Sequence, residues 1–200
     1  FFLFSKDNCF FLDCHTVAAE ALCQRLLLYR LRKDVTITST DLSVSCGIKN
    51  NPKGAVLDPR HPGMGWRYYG KRLDVEYVDW TALRIKLGIP MFEKELLSNS
   101  YILEMRFEQL NGVDFKKGCY IGQEITARMK HKTKLRKGMA RAKLSKDVPL
   151  HTRITSEGKD IGFVCSQSNG EALVYVKYEK VGGTLFADDA EVTGIDTEFA

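Results

Sequence analysis

One thiol in this chain has neighbours that could make it chemically active. Cys119 lies in FKKGCYIGQEITARM (residues 115–129), behind Lys116 and Lys117, between Gly118 and Gly122, and just ahead of an apolar pattern at helical spacing. A cysteine on a tight loop before a helix N-terminus faces backbone N–H groups that favour an anion. The two lysines act in the same direction. Both influences are expected to lower the thiol pKa and favour the thiolate, the form that attacks electrophiles and ligates metals. The flanking glycines let another backbone or a flat ligand approach closely. A small buried filler with two turn glycines is the other reading of the same residues. No histidine lies within a few residues as a base, His131 being further along, so a protease-like Cys–His pair is unsupported. A reactive or metal-contacting thiol fits better than an acyl-transfer nucleophile.

The other cysteines, Cys9, Cys14, Cys23, Cys46 and Cys165, make no C-x-x-C pair and follow no zinc or ferredoxin spacing. Most fall among apolar neighbours, which points to a reducing compartment. Charge is unevenly spread. The formal net charge is +5, yet Ile125 to Lys146 holds nine Lys or Arg and no Asp or Glu, while the rest carries 21 positive and 25 negative groups. That segment reads either as a solvated linker or helix face, or as a site for something anionic: a polyglutamate tail, phosphate, nucleic acid or an acidic protein.

These residues need elements to hold them. At 200 residues the chain has room for one large domain, or one domain and a small satellite. No apolar run approaches a membrane span. The opening FFLFSKDNCFFLDC reads as two strands, 1–5 and 9–14, around a Lys-Asp-Asn turn, and not as a signal peptide. A chain that begins inside a strand looks like the remainder of something longer. Residues 16–32 have helical spacing with Thr16 as N-cap; 34–41 is β-branched and reads as a strand that 42–48 extends or pairs with. The Pro- and Gly-rich run from Asn50 to Gly70 reads as loop with a short strand in AVLDPR. Residues 79–90 form a helix capped by Asp79 and stopped by Gly-Ile-Pro. This is an α+β pattern with helices on one face of a sheet. Beyond 133, short strands separated by Glu-Gly-Lys-Asp, Ser-Asn-Gly-Glu and Gly-Gly turns predict a small barrel or sandwich of six strands. The boundary falls inside the basic segment, giving 1–133 and 134–200 as domains.

With these residues in view, KGCYIGQE (117–124) resembles the K-G-C-Y-x-G-Q-E signature of the YgfZ family, folate-binding proteins of iron–sulfur cluster maintenance. That family includes mitochondrial iron–sulfur assembly factors and is related to the aminomethyltransferase, or T-protein, of glycine cleavage. LRIKLGIP, LEMRFEQLNGVDF and IGFVCSQSNGEALVYVKY agree with it, so the likeness covers most of the chain. Lys117, Gly118, Cys119, Tyr120, Gly122, Gln123 and Glu124 fall on the signature, with Ile121 at its variable position.

The resemblance implies a T-protein-like (GcvT-like) folate-binding α+β domain, here incomplete at its start, followed by a small antiparallel β-barrel. It implies tetrahydrofolate as ligand, with Glu104 on the pterin-side carboxylate and Arg106 or Arg128 toward the glutamate tail. Tyr120, Gly122, Gln123 and Glu124 are further binding candidates; Lys117 and Cys119 are the active ones, the thiol lying beside the folate pocket. Trp66, Tyr68 and Tyr69 could stack on a pterin, and Asp13 and His15 could face the channel. Relatives have a proline ahead of Leu-Glu where this chain reads SYILEM. The implied function is an accessory factor for assembly or repair of iron–sulfur clusters, more than an enzyme, with Cys119 as a transient ligand of a cluster shared with a partner, since one thiolate cannot complete a four-cysteine site. Expected partners are folate, iron–sulfur scaffold or carrier proteins and client enzymes; a membrane or nucleic acid is not expected, and the chain is expected to be a monomer. The alternative is a tetrahydrofolate-dependent aminomethyltransferase, for which no acidic residue in 13–20 could be matched. The expected compartment is the bacterial cytoplasm, with the mitochondrial matrix as alternative.

Overall fold

The computed structural model describes residues 1–120 and 122–199, in two compact units, Phe1–Leu42 and Ser43–Ala200. In the first, β1 (Phe2–Lys6) and β2 (Cys9–Asp13) form an antiparallel hairpin with Lys6 opposite Cys9. The two loop residues, Asp7 and Asn8, both have positive φ, 51° and 62°, as a type I′ turn requires. Phe4 and Phe11 sit directly across and stack at 5.0 Å. Helix α1 (Thr16–Arg30) follows, but Thr16 is not its cap: His15 holds that position and no side chain caps the helix. The strand expected over 34–41 does not form. Branched side chains favour a strand only where another strand and a packing face are available, and the next segment pairs elsewhere.

The second unit opens with β3 (Ser43–Gly47), β4 (Val56–Leu57) and β5 (Trp66–Gly70), an antiparallel sheet of order β3-β5-β4. The central strand, β5, lies in the run read as loop; its partner β3 is supplied from 19 or more residues away, Gly47 standing opposite Trp66. Helix α2 (Trp80–Leu87) begins and ends as expected. The Asp79 carboxylate accepts from the Ala82 N–H at 2.9 Å, and Gly88 closes it with φ 66°. It does not lie on one face of a sheet. Ile85 packs with Met139 and Leu173 on one side, and Trp80, Leu83 and Leu87 pack around Met64, Ile89 and Leu110 on the other. A helix apolar on two sides needs two neighbours, and the barrel is one of them.

That barrel comprises β6 (Lys137–Leu144), β7 (Arg153–Ser156), β8 (Lys159–Ser168), β9 (Glu171–Lys177), β10 (Leu185–Ala187) and β11 (Ala190–Asp196), closed in the antiparallel order β10-β11-β6-β9-β8-β7. Six strands match the number read from the turns. Every second residue points inward: Ala140, Ala142 and Leu144; Ala172, Val174 and Val176; Ala190 and Val192. These small side chains fill the narrow interior of a six-stranded closure. On the outer face of β6 and β9, Met139 and Leu173 are buried as well, under α2 and Phe199. The barrel's wall is therefore the floor on which α2 stands. Residues 133–136 link it to helix α3 (Gln123–Lys132), whereas the compact division of the chain runs after Leu42.

Candidate functional site

The loop ahead of α3 is held by short-range bonds that leave its cysteine open. Asp114 accepts from the Lys116 N–H at 2.7 Å, an Asx-type turn. Four residues on, the Gln123 side chain accepts from the Tyr120 N–H at 3.2 Å while the Gln123 N–H donates to the Tyr120 carbonyl at 3.3 Å. This reciprocal pair anchors the loop to the first turn of the helix. Gly122 bends between them with φ 90°, a conformation that costs a side-chain-bearing residue. Cys119 is exposed and makes no hydrogen bond among the described residues. Around Gly118 there is open space, with no atom within 4 Å of where a Cβ would stand. Lys117 Nζ lies 4.4 Å over the Tyr120 ring. His131 turns its ring edge to Phe115 at 5.9 Å, so the loop does not bring it to the thiol as a base. Ile121 lies outside the described residues.

Helix α3 has two unlike faces. Thr126 is its one buried residue among those described, and Lys130, one turn on, pairs with Glu108 at 2.5 Å. These residues seat the helix. On the opposite side Ile125, Arg128 and Lys132 recur at helical spacing, all exposed, Ile125 at 58%. The basic segment is divided in the same manner. Lys130, Lys137, Arg141 and Lys146 find carboxylates at Glu108, Glu104, Asp196 and Asp189. Arg128, Lys132, Lys134 and Arg136 are exposed and form no ion pair among the described residues. Part of the segment is therefore internal pairing around the barrel, and part is an open cationic surface next to the thiol loop. Composition could not separate these; in three of the four pairs the carboxylate lies more than 25 residues from its cation in sequence.

Of the other candidates, Glu104 is buried at 5% and already engaged. The Tyr175 hydroxyl donates to its Oε2 at 2.5 Å, and Lys137 Nζ stands 4.0 Å from Oε1. Burial first, and then this bond, push the Tyr175 phenol well above its ordinary pKa, so it remains the donor. Arg106, at φ 62°, stacks its guanidinium 3.7 Å from the centroid of the Phe199 ring and donates Nη2 to the Phe199 carbonyl. Its Nη1 is buried without a partner among the described residues, and burial pulls its pKa down. Arg128 and Glu124 are exposed on α3. Trp66 is buried, donating to the Lys49 carbonyl at 2.7 Å, and Tyr69 accepts from Arg67 Nε at 3.1 Å. Asp13 ends β2 and His15 opens α1, both in the first compact unit.

Two cavities are formed by described residues away from the thiol loop. One of about 310 Å³ is lined by Ile48, Trp66, Leu73, Val75 and Val78 with Lys49, Asp74 and Glu76 around it. The other, about 210 Å³, lies against Ile85, Arg141, Lys143 and Asp196. Neither is lined by Cys119, Glu104, Arg106 or Arg128. The thiol is thus accessible as expected, but it does not sit beside either cavity. Glu104, with one oxygen bonded to Tyr175, does not present the two free acceptors of a bidentate pterin contact. Sequence reasoning missed Tyr175, whose partner lies 71 residues away. It also missed the buried Arg84, whose Nη1 meets Glu95 at 3.0 Å and whose Nη2 donates to Ser166. Among the described residues no group of three or more His, Cys, Asp or Glu side chains is placed to hold a metal ion. No helix among them is long and apolar enough to cross a membrane.

Comparison with known proteins adds to this geometry. Residues 136–198 match the family described as CAF17, C-terminal beta-barrel domain, a span that encloses the six strands from Lys137 to Asp196. Relatives include the mitochondrial iron–sulfur cluster assembly factor IBA57 of Homo sapiens, 31% identical over 90% of this chain and 60% of that protein. The Mus musculus protein of the same name is 28% identical over 91% of this chain and 60% of its own length. The homologue in Dictyostelium discoideum is 31% identical over 62% of this chain and 39% of the relative. The chain therefore spans about 60% of the length of the mammalian relatives it matches. Over nine-tenths of its own length it is similar to proteins named iron–sulfur cluster assembly factors, and its barrel region matches the CAF17 C-terminal barrel family.

Proposed function

We propose that this chain serves in iron–sulfur cluster assembly as an accessory factor whose Cys119 thiolate contacts a cluster shared with a partner protein. The observation that carries this reading is the open, unengaged thiol of Cys119 in a chain whose relatives bear that name. Cluster irons are held by several thiolates. Cys119 supplies one; the remainder come from the partner, because Cys165 is buried on β8 and no group of three or more ligating side chains forms among the described residues. The cluster is cargo here, passed without change in the bonds of the chain itself. Lys117 keeps positive charge in the same loop, and Gly118 leaves the approach to the sulfur unobstructed.

The relatives' names support a mitochondrial location in preference to a bacterial cytoplasm. Tetrahydrofolate is proposed as a ligand on the resemblance alone. Glu104 Oε2 already accepts from Tyr175, and no step of the cluster chemistry is routed through folate. Titrating tetrahydrofolate against the full-length protein tests that half: binding that Glu104→Gln weakens supports it, and absence of binding removes it. The main reading is tested by Cys119→Ser in cells lacking the endogenous protein. Activity of cluster-dependent enzymes is expected to fall to the level of the deletion while the protein accumulates normally. Full rescue by Cys119→Ser overturns the role given to the thiol.

A further inference from the structure

Six cations between residues 116 and 136 remain without an ion pair among the described residues: Lys116, Lys117, Arg128, Lys132, Lys134 and Arg136, all exposed. The single acidic residue in that span, Glu124, is exposed and forms no ion pair among the described residues either. Exposed cations without an ion pair among the described residues occur elsewhere, as at Lys143, Lys159 and Lys180; what sets this span apart is six of them against one acidic residue. Within the same basic segment Lys130, Lys137, Arg141 and Lys146 each reach a carboxylate. Lys116 and Lys117 lie in the thiol loop, Arg128 and Lys132 on the outward face of α3, and Lys134 and Arg136 in the link that follows it, with Ile125 exposed at 58% on the same helix face. An exposed aliphatic side chain inside a cationic surface is what a protein interface uses as an apolar anchor with a charged rim.

We infer that the outward face of α3 and the 116–119 loop form the docking surface for an acidic face of the partner protein that shares the cluster, with Ile125 entering an apolar spot on that face. This rests on the cluster-sharing role proposed for Cys119. Complementary charge orients the two proteins before contact, so that the partner's thiolates arrive at the exposed sulfur in register. A nucleic acid is the less suitable occupant. Single strands are held by cations interleaved with open aromatic faces, whereas α3 has no Phe, Tyr or Trp, the Tyr120 ring has Lys117 over it, and His131 is turned to Phe115.

The test uses the full chain and three probes: a short acidic helical peptide with leucines along one face, a polyglutamate of equal length, and an oligothymidylate. The amphipathic acidic peptide is expected to bind tightest, with affinity falling steeply as salt rises. Lys132→Glu/Lys134→Glu/Arg136→Glu is expected to weaken it by about tenfold or more. Ile125→Ser is expected to weaken that peptide roughly fivefold and leave polyglutamate unchanged. Lys159→Glu/Lys180→Glu, on exposed cations of the barrel region, is expected to change binding by less than about twofold. Tightest binding of oligothymidylate overturns the proposal in favour of nucleic acid. Equal binding of polyglutamate and the amphipathic peptide overturns it in favour of charge alone. Cys119→Ser separates the two readings: if it abolishes support of cluster enzymes while the charge-reversed variant binds the peptide like the native chain, the docking surface falls and the thiol's role stands. The opposite pattern keeps the surface and removes the thiol.

Discussion

Cys165 and Cys119 belong to the same compact unit, yet everything around them differs. Cys165 is 1% exposed on β8, and burial first, then the nearby Glu95 charge, push its thiol pKa far up. It stays protonated and serves as packing. Cys119 is open on a loop whose neighbours are cations without counter-charges. The contrast extends to the regions that carry them. In the barrel, apolar side chains alternate inward, and Lys137, Arg141 and Lys146 meet carboxylates, while Lys143, Lys159 and Lys177 stay exposed. Around α3 one residue is buried and most of the charge is left outward.

Breaking the stable half should have the largest effect. Arg84 and Glu95 are a buried pair joining α2 to the barrel through Ser166, with Arg84 Nε and Glu95 Oε1 left unpartnered. Glu95→Ala strands the guanidinium and is expected to cost about 3–5 kcal/mol in denaturant unfolding. A loss under about 1 kcal/mol would mean that Arg84 reaches water. Next in size is a matched pair of isoleucines. Ile154→Ala, at 0% exposure inside the barrel, is expected to cost about 2–5 kcal/mol. Ile125→Ala on α3 is expected to stay within about 0.5 kcal/mol. Similar losses at both positions would erase the distinction between the regions.

How much of this could be read from residues alone follows the range of the interactions. The Asp7–Asn8 turn, the Asp79 cap, the Gly88 stop and the start of α3 after Gly122 depend on chemistry within four residues, and they were legible. The six barrel strands were legible because turns punctuate them and their inward positions alternate. The strand at 66–70 was hidden by the prolines and glycines around it and exists because β3 pairs with it. The 34–41 strand failed for want of a partner. At the site, the exposed cysteine loop was readable, whereas the capture of Glu104 by Tyr175 and the division of the basic segment by distant carboxylates were not.

Two smaller changes sharpen the comparison further. Asp79→Ala removes the N-cap of the helix that stands on the barrel, and is expected to lower stability by about 1 kcal/mol, with no loss if the Ala82 N–H finds water instead. The Arg141–Asp196 pair should be the mildest. The hydrogen bond from Arg141 chiefly holds the Asp196 carboxyl below the usual carboxylate range. Its contribution is therefore complete above the unfolded pKa and disappears as pH falls through the lowered folded value. At an exposed position it amounts to well under about 1 kcal/mol. The stability gap between native protein and Asp196→Asn should thus close on acidification; a gap independent of pH would assign the effect to packing.

The central claim concerns the sulfur of Cys119, and anaerobic reconstitution interrogates it most directly. Iron and sulfide would be added to the full-length protein together with a cysteine-bearing scaffold, and the cluster followed by its visible absorption and by iron retained in the complex. The account predicts a cluster held by the native pair and lost with Cys119→Ser, while Cys165→Ser, if folded, retains it. Equal retention by the native protein and Cys119→Ser would contradict it.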